Sequence, residues 1–85
     1  KQEGDMKPGA YLLINVATGE ELNVVKEIRK LPGVINARVV TGLHDVVCYV
    51  EADTFDELRN EIIGSIRHIP GITRTVTCIA FDGEE

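Results

Sequence analysis

A single α+β domain with the element order βαββαβ is what this sequence predicts, on three observations. Short β-rich runs alternate with longer amphipathic stretches. Two near-copies of one motif, IRKLPGV (28–34) and IRHIPGI (66–72), close the two amphipathic stretches. A short polar break, TGLHD (41–45), separates two β-rich runs in the middle.

The elements follow in order. After the polar KQEGDMKPG (1–9), read as a disordered or appended N-terminus, AYLLINV (10–16) is a strand-length apolar run. Thr18 followed by Glu21 has the spacing of a capping box. Val24, Val25, Ile28 and Leu31 then recur at helical spacing, and Pro32-Gly33 ends that helix. VINARVV (34–40) and VVCYVEA (46–52) flank the short break and predict an antiparallel hairpin. The second half repeats the plan. Thr54 and Glu57 form a second capping box, and Phe55, Leu58, Ile62, Ile66 and Ile69 make an apolar stripe. Pro70-Gly71 stops the helix, ITRTVTCIAF (72–81) is the last strand, and DGEE (82–85) is an acidic tail. This order is the split-βαβ, ferredoxin-like arrangement over residues 10–81: a four-stranded antiparallel sheet, order 4-1-3-2, with two helices on one face. The two Pro-Gly breaks then mark equivalent corners and launch the two edge strands.

Composition bounds the function. Nine Lys and Arg stand against 14 Asp and Glu, for a formal charge of −5. Nucleic-acid binding rests on cations meeting phosphates, so this balance argues against direct contact with DNA or RNA. No run is long and apolar enough to span a bilayer, and no signal peptide is visible, so the expected location is the cytoplasm. Cys48 and Cys78 read as free thiols in a reducing compartment. His44 and Cys48 could share a strand face, but two candidates do not make a metal site, and no cofactor is expected. Ser65, the sole serine, has no nucleophile-activating neighbour except His68, which reads as an exposed helix-end residue. No catalytic motif is present, and the chain is read as a non-enzyme.

The uncovered face of the sheet is informative. Alternation assigns Ala10, Leu12, Ile14, Val16, Ala37, Val39, Val46, Cys48, Val50, Val76, Cys78 and Ala80 to the helix side. The opposite side should be polar, yet it receives Tyr11, Leu13, Val47, Tyr49, Ile79 and Phe81. An apolar patch of that size marks an interaction surface. The expected cover is a second copy, sheet against sheet.

The hairpin break is the one polar concentration with possible chemistry. Gly42 permits a tight turn whose N–H groups face outward and suit a carboxylate; Asp45 can pair with an ammonium. Donors beside an acceptor match a zwitterionic amino acid. Ordinary turn chemistry, with Asp45 bonding its own backbone, accounts for the same residues, and local spacing leaves both readings open.

Three segments carry a family likeness: LPGVINARVVTGLHDVVCYV, DTFDELRNEII and IPGITRTVTCIAF. With them, residues 9–81 resemble the effector-sensing C-terminal (RAM) domain of the Lrp/AsnC transcription regulators. The resemblance implies dimers packed sheet to sheet, rings of four or five dimers, and amino-acid effectors bound between dimers near the hairpin. It assigns Gly42 and Asp45 to the family's G-x-x-D loop, which also holds Leu43. His44 stands where an aromatic is common. Thr75 and Thr77 match threonines of the last strand, one of which can reach an effector in a neighbouring subunit. The family's regulators also carry a helix-turn-helix domain, whereas only nine residues precede the first strand here. The expected function is therefore amino-acid sensing through ligand-modulated assembly. Partners would be copies of itself in an octamer or decamer and a full-length Lrp/AsnC-type regulator. The alternatives are a purely structural module without a ligand and an ACT-like amino-acid-binding domain.

Overall fold

Alternating apolar residues build the first strand, β1 (Gly9–Val16), in which Ala10, Leu12, Ile14 and Val16 are buried. The structure, a computed structural model, describes residues 7–80. The remaining elements are α1 (Glu21–Arg29), β2 (Val34–Val39), β3 (Val46–Glu51), a second helical rod, and β4 (Ile72–Ala80). The sheet is antiparallel in the order β2-β3-β1-β4, as expected, with Leu12 facing Cys48 on one side and Thr77 on the other. Leu12, Ile14, Val46, Cys48 and Val50 meet Val24, Val25 and Ile28 of α1 and Leu58, Ile62, Ile63 and Ile66 of the second rod in one core. Burying each large aliphatic of this set stabilises the fold by roughly 1.5–3 kcal/mol.

The expected capping boxes have different fates. In the second half Thr54 Oγ1 accepts the Glu57 N–H at 3.1 Å, and the Glu57 carboxylate reaches back to the Asp53 N–H at 3.3 Å. In the first half there is no such cap. Thr18 and Gly19 are spent on a turn, with Glu20 N–H bonded to the Ala17 carbonyl and Gly19 at φ 87°. The helix therefore begins only at Glu21, with Glu20 at its N-cap position and no side-chain cap. A glycine inside the first box favours the turn over helical backbone, and this is what spacing alone overlooked.

The second rod also departs from a plain α-helix. Short α-turns, α2 (Phe55–Glu57) and α3 (Gly64–Arg67), flank a π-helical stretch, Leu58–Ile63. The wider turn accommodates neighbouring Ile62 and Ile63, both buried against the sheet.

The two Pro-Gly corners are equivalent in space. The Gly33 carbonyl accepts the Glu51 N–H at the end of β3, and the Gly71 carbonyl accepts the Ala17 N–H just past β1, each at 2.8 Å. Each corner docks against the helix of the other half. A Cβ on Gly33 would overlap Ile62 and approach the Glu51 carbonyl oxygen to 2.8 Å; one on Gly71 would lie 3.2 Å from Val24. Both glycines have positive φ, 86° and 99°. The repeat is a frame that locks each half to the other.

One expectation about the sheet faces is overturned. In β4, Ile79, Thr77 and Thr75 pair with Ala10, Leu12 and Ile14, so they share the helix side. Val76 and Cys78 pair with Leu13 and Tyr11 on the open side. Ile79 packs against the core and does not belong to the open face. The cause is a β-bulge near the strand's start: Asn15 pairs with Arg74 but Val16 with Ile72, which leaves Thr73 as the extra residue. One inserted residue flips every later side chain. Ile72 lies against the core, as apolarity suggests, and Thr75 returns to the same side three residues later.

Candidate functional site

The open face of the sheet carries Tyr11, Leu13, Val47 and Tyr49 where the sequence placed them, joined by Val76 and Cys78. Tyr11 is 49% exposed, and its ring lies 4.7 Å from that of Tyr49. Tyr49 donates its hydroxyl to Glu51 at 3.1 Å and covers Gly9, whose missing side chain makes room for the phenol. Phe81, also expected on this face, lies outside the described residues, as does most of the 1–9 segment and all of the 82–85 tail.

The hairpin loop sits at the end of this face, beyond β1. Val40 N–H bonds to the Asp45 carbonyl and closes the hairpin at 2.9 Å; Asp45 N–H bonds to the Ile14 carbonyl at 2.9 Å. The Asp45 carboxylate does not bond its own backbone. Its Oδ2 accepts the Val16 N–H at 2.9 Å, across the sequence from loop to β1. Asp45 is thus a rivet between the hairpin and the last turn of β1. Its half-buried carboxylate keeps acceptor capacity on Oδ1, since one carboxylate offers several lone-pair sites.

Between the closing residues, Thr41, Gly42 and Leu43 are exposed and His44 is half-buried. Their successive backbone N–H groups have no hydrogen-bond partner among the described residues. Gly42 has φ 131°, and nothing lies within 4 Å of where its Cβ would be. Leu43 is 90% exposed. The loop therefore holds unbonded donors beside a fixed carboxylate.

A residue that spacing did not single out holds this loop. Asn15, half-buried on the open face, donates from Nδ2 to the Leu43 carbonyl at 3.0 Å, and its Oδ1 lies 3.3 Å from His44 Nδ1. Its signal in the sequence was a lone polar amide in an otherwise apolar strand.

Thr75 and Thr77 are not part of this cluster in one copy. They lie on the other side of the sheet, on the edge strand, and Thr77 lines a groove of about 380 Å³ with Phe55, Leu58, Ile63 and Ile79 and with Arg59 and Arg67. Thr75 borders a polar hollow with Arg67 and Arg74. A third hollow, of about 320 Å³, lies at the Pro32-Gly33 corner, where Lys7 lines it together with Glu51, Asp53, Glu57 and Glu61. None of these includes the hairpin loop. Among the described residues no three His, Cys, Asp or Glu side chains gather into a metal-binding group, and no helix is long and apolar enough to cross a membrane.

The order β2-β3-β1-β4 with both helical segments packed on one face defines a ferredoxin-like α+β domain whose other sheet face is open. Residues 9–83 match the family model of the Lrp/AsnC ligand binding domain, and the chain belongs to that family. An uncharacterised HTH-type transcriptional regulator of Pyrococcus abyssi is 34% identical over 76 residues, which are 86% of this chain and 51% of the relative. The chain thus spans about half the length of that curated relative. A solved hypothetical protein of Pyrococcus horikoshii is 36% identical with a TM-score of 0.81, covering 87% of this chain and 89% of that one. A transcriptional regulator of Neisseria meningitidis, solved as its L-Met complex, shares the fold at a TM-score of 0.74 with 11% identity, over 92% of this chain and 52% of that one.

Proposed function

We propose that the chain senses a free amino acid at the Gly42–Asp45 hairpin and transmits binding through its own assembly. The observation that carries this reading is the loop itself. Unbonded N–H groups from Thr41 to His44 suit a carboxylate, and Asp45, pinned by Val16, offers an acceptor to an ammonium. The family and the L-Met complex of the Neisseria relative support the ligand class. None of the three hollows described above includes the loop, and a second copy completes the site. Copies pack through the open face of Tyr11, Leu13, Val47, Tyr49, Val76 and Cys78, dimers assemble further into a ring, and Thr75 and Thr77 approach the loop from a neighbouring subunit. A ligand seated between copies favours whichever assembly forms the seat. The net charge of −5 supports action through a protein partner, such as a full-length Lrp/AsnC-type regulator, rather than through phosphate contacts.

Titration calorimetry against each of the twenty amino acids, with sedimentation in parallel, tests this. At least one amino acid should give saturable heat and change the distribution of assemblies. A silent panel over an intact oligomer would overturn the ligand reading. It would favour instead a purely structural module, the reading that the engagement of Asp45 by Val16 supports, because that bond gives the aspartate a role without any ligand.

A further inference from the structure

We infer that Asn15 sets the hydrogen-bonding character of His44, so that the hairpin presents an imidazole acceptor and favours amino acids whose side chains carry an N–H or O–H donor. This rests on the hairpin being the amino-acid site.

The chain of donors and acceptors leaves one arrangement. The Leu43 carbonyl can only accept, so the Asn15 group 3.0 Å from it is the NH₂. The other end of the amide, 3.3 Å from His44 Nδ1, is then the carbonyl oxygen, which also only accepts. His44 must therefore carry its hydrogen on Nδ1. In the neutral ring the second nitrogen, Nε2, is left as an acceptor. Among the described residues Nε2 has no hydrogen-bond partner and no buried side-chain nitrogen or oxygen is unsatisfied, so Nε2 is not sealed from solvent. Without Asn15 the tautomer would be free to change, and Nε2 could donate as readily as accept.

The location gives this consequence. His44 is the last of the loop residues with an unbonded backbone N–H and stands next to Asp45 in the chain. A zwitterion held by loop amides and the Asp45 carboxylate sits beside the residue that carries that imidazole. A hydroxyl or carboxamide donor can satisfy Nε2, whereas an isosteric apolar side chain displaces water from it and returns nothing. For a partly exposed bond the expected discrimination is modest, about five- to ten-fold. Asn15 is the positioning residue and His44 the specificity-determining one.

The test pairs amino acids of matched shape, threonine with valine and glutamine with methionine, by calorimetry on the native protein, His44→Phe and Asn15→Ala. Nitrogen-15 spectra of the imidazoles in the ligand-free native protein and Asn15→Ala give a readout independent of binding. The native protein should show His44 protonated at Nδ1 and prefer the donor member of each pair. His44→Phe should lose or reverse that preference while still binding, and Asn15→Ala should shift the tautomer toward Nε2–H and weaken it. A native His44 protonated at Nε2, or equal preference in native and His44→Phe, overturns this inference while leaving the hairpin as the site. Absence of binding by every amino acid overturns the site reading, and this inference with it. Should Asn15→Ala fail to fold, His44→Phe and the native tautomer decide the matter by themselves.

Discussion

Removing the Asp45 carboxylate should destabilise the fold by about 2 kcal/mol. Its Oδ2 accepts the Val16 N–H at 2.9 Å in a half-buried setting, and Val16 itself is buried at the end of β1. Hydrogen bonds to a charged group contribute roughly 1.5–3 kcal/mol, and deleting the acceptor also leaves the donor unsatisfied. Solvent at the loop reduces this, which brings Asp45→Ala to about 2 kcal/mol. Asp45→Asn retains a neutral acceptor of the same shape and should cost about half as much, because charge-assisted bonds are roughly twice as strong. For a domain of this size 1 kcal/mol corresponds to a melting shift of about 4–8 °C, so Asp45→Ala should melt about 8–16 °C lower. Urea denaturation followed by circular dichroism at one fixed protein concentration measures both variants, since assembly otherwise moves the midpoint. An Asp45→Ala loss below about 0.5 kcal/mol, or an Asn variant as damaged as the Ala one, would refute the rivet between hairpin and β1.

Glycine replacements should separate strain from collision. Gly33→Ala meets both a left-handed backbone and the Glu51 carbonyl, and should cost about 3 kcal/mol, whereas Gly42→Ala has open space and should cost about 1–2 kcal/mol. Thermal melts showing the reverse order would contradict the corner packing. Leu13→Glu places a charge on the open apolar face without touching the core. Sedimentation equilibrium should find it shifted to monomer at a concentration where the native chain is dimeric or larger. Cys48 is fully buried, and burial raises its thiol from 9.0 to about 11, only partly offset by a backbone hydrogen bond from Leu12. The unfolded chain loses this proton first, so stability should hold below about pH 9 and fall between 9 and 11, by about 2–3 kcal/mol. Cys48→Ala should flatten that fall in denaturation curves taken across the range. A thiol reagent at neutral pH should modify the exposed Cys78 of a monomeric variant and spare Cys48.

The element order, the sheet order and the helix-covered core were legible because they depend on local patterns that reinforce one another. Apolar period, Pro-Gly stops and a short hairpin break all report on the same βαββαβ plan. The loop was legible as a loop, with Gly42 and Asp45 placed correctly within it. The hydrogen bond that Asp45 makes was not, because its partner is Val16, far away in sequence, and spacing suggests only neighbours. The same limit hid Asn15, whose contacts with Leu43 and His44 exist only once β1 lies beside the hairpin.

The repeat of IRKLPGV and IRHIPGI shows how sequence and tertiary structure divided the work. By itself the sequence determined that both helices stop at a Pro-Gly corner and that a strand follows, since proline cannot continue the helix and glycine accepts the turn. Only the tertiary structure decided that each corner is closed by an N–H at the end of another strand or just past it, and docks on the helix of the other half. It likewise decided which residues of β4 face outward. That strand has apolar side chains on both parities, so alternation could not choose. The bulge at Ile72–Arg74 chose, setting Ile79 against the core and Val76 and Cys78 in the open. Register is a property of two strands, and no single strand's sequence contains it.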